Sequence, residues 1–208
     1  MEFYDVVNAR GMIRDFTEEP VDMEAVKRIL SAGLKAPTND HMRHWEFVVL
    51  TDKNTIASII NDIPKEVSDT EVDAIFDAWH LRDACQQAMY GDAIPKQYDM
   101  LYRSGCLVLP FYQQSAPLLE PESLSSLNAF ASIWCCIENI LLAAAAEGLG
   151  TALRIPFDGE TERIAQVLRH PQDYVMPCYI ALGHIAPGAV RHRQHAHSVE
   201  ERLHMNRW

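Results

Sequence analysis

The chain has 208 residues, 48% of them hydrophobic and 23% charged, which suits one globular domain with a buried core. Its formal net charge of −11 excludes nonspecific binding to nucleic acid or to an anionic membrane surface, because both need a basic excess. Five cysteines, an odd number without a CxxC pair, define no disulfide framework.

Residues 2–9 carry Phe3, Val6 and Val7 at the spacing of a short amphipathic helix. No basic stretch followed by an apolar one opens the chain, so no signal peptide and a cytoplasmic location are expected. Arg10-Gly11-Met12-Ile13-Arg14-Asp15-Phe16 follows, then a turn at residues 17–20. Asp22 is a suitable N-cap for a helix whose stripe is Val26, Ile29, Leu30, Gly33 and Leu34, and Pro37 ends it. A polar loop at residues 38–44 leads to Trp45-Glu46-Phe47-Val48-Val49-Leu50, a strand by its β-branched and aromatic content.

Residues 52–104 have another texture, acidic with helical patches around 56–60 and 72–89, and read as a helical excursion rather than a second domain. Residues 106–111 form a short apolar strand candidate, and Pro110 argues for an edge position or an early end. A Pro- and Ser-containing loop at 114–126 leads to the longest apolar run, residues 128–150. There Phe130, Ile133, Trp134, Ile137, Ile140, Leu141 and Ala144 recur at helical spacing, and Gly148 and Gly150 supply a stop.

Nineteen weakly charged residues are long enough to span a bilayer. Glu138, Asn139, the many small alanines and the lack of basic flanks instead favour a core helix. Beyond it come an extended segment at 151–155, a small helix at 160–168 with Ile164, Val167 and Leu168 inward, and a strand at 176–185. A tail at about 188–208 carries Arg191, Arg193, Arg202, Arg207 and four histidines. The order of elements describes one α+β domain over 1–208, helices around a small sheet.

Arg10 and Arg14 lie four apart, and Arg191 and Arg193 two apart, so each pair shares a face on a helical turn or an extended tail respectively. Such pairs suit a phosphate, which the planar guanidinium grips with paired hydrogen bonds. They equally suit surface ion pairs with Asp15, Glu18 or Glu200. His41 with His44, and His192, His195 and His197, have no Cys or acidic partner at a recognised ligand spacing, so no metal site is expected. GxSxG, HExxH, GxGxxG and Walker motifs are absent, which points any chemistry toward a bound cofactor.

Four segments together resemble the nitroreductase-like flavoprotein family: residues 10–16, similar to R-R-S-x-R-x-F; Ala36-Pro37-Thr38 through His44-Trp45, similar to A-P-S-x-x-N-x-Q-P-W; Gly148-Leu149-Gly150-Thr151, similar to G-L-G-[ST]; and Leu182-Gly183-His184 with Arg191-His192-Arg193 beyond it. The closing His204-Met205-Asn206-Arg207-Trp208 is similar to the family's ending. The resemblance covers most of 1–50 and 126–208 and little of 52–104.

It implies an α+β fold with a small, mostly antiparallel central sheet, working as a homodimer whose C-terminal extension embraces the partner. FMN would lie at the interface. Arg10 with Gly11 and Met12 would contact its phosphate or ribityl chain, and Arg14 the pyrimidine edge. Pro37, Thr38, His41 and Arg43 would run along the flavin, Leu153, Arg154 and Ile155 would line its other side, and Arg191 and Arg193 would hold the phosphate. Ile155 is the candidate backbone donor to the ring, since Pro156 has no N–H.

Met12 replaces the family Ser, and His41, Arg43 and His44 stand where the family has Asn, Gln and Pro. The resemblance implies an NAD(P)H oxidoreductase with a ping-pong hydride transfer through the flavin, reducing a small electron-poor acceptor such as a nitroaromatic or quinone. Reductive dehalogenation, flavin processing or flavin binding without turnover remain readings of the same fold. Trp79, Tyr90 and Tyr98 are equally channel-lining or packing residues.

Overall fold

The computed structural model describes residues 1–114, 117–157 and 159–208. In chain order, α1 (Phe3–Ala9) and α2 (Met23–Gly33) precede β1 (Trp45–Leu50). Four helices follow: α3 (Lys53–Ile59), α4 (Asp69–Ala78), α5 (Ala84–Ala93) and α6 (Gln97–Tyr102). Then come β2 (Cys106–Gln113), a 3-10 turn (Leu124–Leu127), α7 (Asn128–Ala146) and β3 (Gly150–Arg154). Helix α8 (Glu160–Leu168), β4 (Tyr174–Val175) and β5 (Tyr179–Gly183) close the fold before an irregular tail. Residues 115–116 of the expected 114–126 loop lie outside the described residues.

The strands form one five-stranded sheet in the order β1-β2-β5-β3, with β4 also on β2. Every ladder is antiparallel. Strand β2 is central, which corrects the edge position that Pro110 suggested. Pro110 sits opposite Phe47 on β1. On its other side β5 pairs only with residues 106–108, and β4 only with 112–113. Pro110 therefore falls in the gap between two ladders, where a missing N–H costs no sheet hydrogen bond. The strand expected at 176–185 is shortened to Tyr179–Gly183, and Pro177 lies in the gap between β4 and β5.

Period-two alternation along β2 builds a core on each face. Leu107, Leu109 and Phe111 pack with Ile56 and Ile59 of α3, Leu101 of α6 and Ile164 of α8. Cys106, Val108 and Tyr112 pack with Val26 and Ile29 of α2 and with Ile133, Ile137 and Ile140 of α7. Helix α2 starts where Asp22 accepts hydrogen bonds from the Glu24 and Ala25 N–H groups. It then lies close against α7: a Cβ placed on Gly33 would stand 2.7 Å from Ile140 Cγ1. Past the end of α7, Gly148 takes φ 76°, and the Leu149 N–H returns to the Ala144 carbonyl at 2.9 Å. That left-handed residue is the helix stop read from the sequence.

Residues 124–146 are long and apolar enough to cross a membrane by length and composition. The α7 side with Ile133, Cys136, Ile137, Ile140 and Ala144 is buried against the sheet and α2. Its opposite side leaves Ala131, Cys135 and Glu138 exposed. Helix α1 buries only Val6 and exposes Phe3, Tyr4 and Val7. The helix expected at 2–9 is present, with most of its apolar side uncovered within one chain.

Candidate functional site

The first group of site residues is built around the join between residues 10–16 and β3. Helix α1 ends at Ala9, and Arg10 turns to extended backbone, so Arg10 and Arg14 do not share a helical turn. Met12 instead bridges Thr151, the Ile13 N–H donates to the Thr151 carbonyl at 2.8 Å, and Phe16 bridges Ile185. These contacts fix the segment between β3 and the end of β5. Arg10 Nε faces the Glu138 carboxylate of α7 at 3.4 Å. Asn139, beside it, donates to the Ala32 carbonyl at 3.2 Å. Glu138 and Asn139 are therefore both partnered within the chain.

Arg14 is largely buried and faces two residues of the excursion that sequence spacing does not connect to it. Its Nη2 lies 3.5 Å from Met89 Sδ, and Nη1 lies 3.8 Å from Asp92 Oδ2. Burial pulls the guanidinium below its ordinary pKa, while Asp92, Asp15 and Tyr90 act the other way. Lys96 ties Asp92, at 2.6 Å, to Asp15, at 2.8 Å. His192 Nε2 approaches Asp92 to 3.1 Å from the tail. Burial pushes the Asp92 carboxyl up, but Lys96 and His192 together outweigh it and hold the group below the usual range. A cleft of about 460 Å³ opens beside this cluster, lined by Arg14, Phe16, Lys96, Arg103 and Gly188 among others.

The tail brings Arg191 to the same region, where its Nη1 donates to the Ala9 carbonyl at 2.7 Å, next to Arg10. The Arg193 carbonyl accepts from Cys85 Sγ at 2.9 Å, so the chain runs along α5. Among the described residues neither Arg191 nor Arg193 has a carboxylate partner. Asp15 and Glu18 pair instead with Lys96 and Arg103.

Strand β3 divides its three candidates. Leu153 joins the cluster under α7. Arg154 faces the other way and is buried, with Nη2 on Glu160 Oε1 at 2.7 Å and Nε on Gln97 Oε1 at 2.7 Å. Its side chain is committed to the core, so only its backbone is free to line a ligand. Ile155, past the strand end, is exposed.

The second group lies in the loop after α2. Thr38 Oγ1 donates to Asp40 and accepts from the Asp40 and His41 N–H groups, which winds the loop tightly. Pro37 is exposed at its start. His41 and Arg43 both adopt positive φ, 62° and 50°. The Arg43 guanidinium donates to the carbonyls of His41 and Ala36, while its buried Nε has no partner among the described residues. A cleft of about 150 Å³ lies between this loop, Trp45, Tyr112 and the α7 residues Asn128 and Ser132.

Within one chain the candidate residues thus form two separate groups. Arg10 meets α7 at Glu138, and the Thr38–Arg43 loop faces it at Asn128 and Ser132, about 9 Å or more apart along the helix axis at 1.5 Å per residue.

Comparison with known proteins agrees with this architecture. The chain is 25% identical over 194 residues to the nitrobenzene nitroreductase of Ectopseudomonas oleovorans, covering 86% of this chain and 85% of that protein. It is 38% identical over 64 residues to iodotyrosine deiodinase 1 of Rattus norvegicus, where the match spans only 29% of this chain and 22% of the relative. A crystal structure of oxidized iodotyrosine deiodinase bound to FMN and 3-iodo-L-tyrosine superposes with a TM-score of 0.75 at 17% identity over 100% of both chains. The nitroreductase family model matches residues 7–184, from within α1 to just past β5, so the chain belongs to the nitroreductase family.

Proposed function

We propose that this chain is an FMN-dependent oxidoreductase that takes reducing equivalents from NAD(P)H and passes them to a small electron-poor acceptor. The observation that carries this reading is the guanidinium cluster at the α1–β3 join. In a chain of net charge −11, Arg191 donates to a backbone carbonyl beside Arg10 and faces no carboxylate among the described residues. That donor set fits a phosphate monoester, which would compete with Glu138 for Arg10 and take Arg191 unopposed.

Arg10, Arg191 and Arg193 would hold the phosphate end of FMN, and the exposed turn at Leu153–Ile155 would offer backbone to its ring system. Arg14, held by Asp92 and Met89, would supply positive charge to the pyrimidine edge, which favours an electron-rich ring. Bound FMN supplies the hydride and electron chemistry. The chain's own residues bind, orient and set the charge around it.

The separation of the two groups and the uncovered side of α1 and α7 support a homodimer in which the loop of residues 37–43 completes the partner's site. Phe3, Tyr4, Val7 and Cys135 are then covered by the second copy. The five free thiols fit a reducing compartment such as the cytoplasm.

A direct test is anaerobic titration of the purified full chain, followed by visible absorbance. The protein should take up FMN and bleach on addition of NADH or NADPH. Failure to take up FMN would remove the flavin reading. Uptake without bleaching would leave a flavin protein and remove the nicotinamide donor. Light scattering during size exclusion should give twice the chain mass, and a monomer would remove the shared site.

A further inference from the structure

Sequence spacing left the tail histidines without a thiol or carboxylate partner. The fold supplies both from more than a hundred residues away. Asp83, the N-cap of α5, and Cys85 in its first turn face His195 of the tail. One ligand atom from each of the three lies within 4.8 Å of the others. His195 Nε2 stands 3.0 Å from Asp83 Oδ1. That oxygen also accepts the Gln86 N–H at 2.9 Å.

We propose that Asp83, Cys85 and His195 bind a borderline divalent transition-metal ion, Zn²⁺ by ligand type, and that the ion fastens the tail to α5. One carboxylate oxygen, one thiolate and one imidazole are each ordinary Zn²⁺ ligands. Bond lengths of about 2.0–2.3 Å in a tetrahedron set ligand atoms about 3.3–3.7 Å apart, reachable from the present spacing by small side-chain rotations. The thiol gives up its proton to solvent on binding, as metal-bound cysteine must. Water takes the fourth position, because His197 Nδ1 already faces Arg202 Nη2 at 3.0 Å. The site is partly exposed and closes no core, so its role is to hold the tail that begins with Arg191 and Arg193 rather than to fold the domain.

Without metal the tail meets α5 through the Cys85–Arg193 hydrogen bond, the His192–Asp92 pair and the His195–Asp83 contact. A metal would replace the Cys85 and His195 contacts with bonds to one ion and set the direction in which the rest of the tail leaves.

The test is titration of the chelator-stripped full chain with Zn²⁺ against a chromophoric indicator, and with Co²⁺ followed by absorbance. One ion per chain should bind, and the Co²⁺ form should show a thiolate-to-metal charge-transfer band. Cys85→Ser should abolish that band, and His195→Ala should weaken Zn²⁺ at least about tenfold. His195 is exposed and Cys85 half-buried at the start of α5, so far-ultraviolet circular dichroism should be unchanged. Cys135→Ser, which removes a thiol of α7 outside the set, and His204→Ala, at the far end of the tail, should bind as the parent does. No saturable binding, or equal binding by parent, Cys85→Ser and His195→Ala, would overturn the proposal. So would a loss in either control as large as in the site variants.

Discussion

Arg154 and Glu160 form a bidentate ion pair with both side chains about 95% buried, and Tyr179 Oη donates to the same carboxylate at 3.1 Å. The arginine also lies 5.2 Å from the Phe157 ring and 5.7 Å from the Tyr179 ring. Removing one partner strands a charge in the core. Glu160→Gln or Arg154→Met should therefore cost about 3–5 kcal/mol, measured by urea unfolding. Burial pushes the Tyr179 phenol far up, and Glu160 adds to it, so the phenol stays neutral and donating throughout the useful pH range. A loss below about 1 kcal/mol in both variants would mean that water enters the pair and the site is not a core element.

The approach of α2 to α7 rests on Gly33. Alanine there gains about 1 kcal/mol in helix propensity but drives a methyl into Ile140, and overpacking of this kind costs about 1–3 kcal/mol. Gly33→Ala should destabilise by about 1 kcal/mol. In an Ile140→Ala background, where only Cys136 Sγ at 3.1 Å still has to give, the same change should become neutral or stabilising. A double-mutant cycle in urea measures this coupling, and additive effects would mean that the helices separate freely.

Glu138 and Arg191 should act on flavin retention in opposite directions. Arg191→Ala removes a guanidinium with no carboxylate partner among the described residues, and should weaken FMN about tenfold or more, on the scale of one charge-assisted hydrogen bond. Glu138→Gln frees Arg10 from its carboxylate and should tighten FMN, by less because that pair is half exposed. Fluorescence quenching of added FMN reads both constants. Weakening in both variants would show that Glu138 positions Arg10 rather than competing for it.

Much of the frame was legible from local signals. Strand β1 has the bounds that its β-branched run suggested, Asp22 caps α2, and Gly148 stops α7. Those features depend on neighbours in sequence. Pro110 misled because its effect depends on which partner strand lies opposite, and β5 and β4 leave that stretch of β2 unpaired. The arginines of the candidate site stand out in the sequence, and their protein partners do not. Arg14 meets Met89 across 75 positions, and no local pattern in the acidic excursion marks Met89, Asp92 or Lys96 for that contact. Glu160 reads as an ordinary first-turn acid of α8, yet it is buried because Arg154 is on the inner face of β3. His195 lacked partners for the same reason: Asp83 and Cys85 reach it only through the path of the tail along α5.

Buried thiols of the core between the sheet and α7 make the fold less stable at alkaline pH. Burial pushes Cys106 up to about 11, against a small opposing effect of Lys53. Burial, with Cys135 beside it, pushes Cys136 up to about 12. The unfolded chain ionises the same groups near 9. Between pH 9 and 11 the unfolded state therefore binds fewer protons, so stability must fall as pH rises, by about 1.4 kcal/mol per pH unit for each thiol fully titrating in the unfolded state. Below pH 8 both thiols are protonated in either state and contribute no slope. Urea unfolding of the full chain at pH 8, 9.5 and 10.5 should show the decline, with pH values chosen around the ordinary thiol range of about 8.5–9. Cys136→Ala should start less stable at pH 8 because it leaves a small cavity, yet lose less between pH 9.5 and 10.5. If parent and variant decline in parallel, the slope belongs to other groups and the Cys136 thiol titrates alike folded and unfolded.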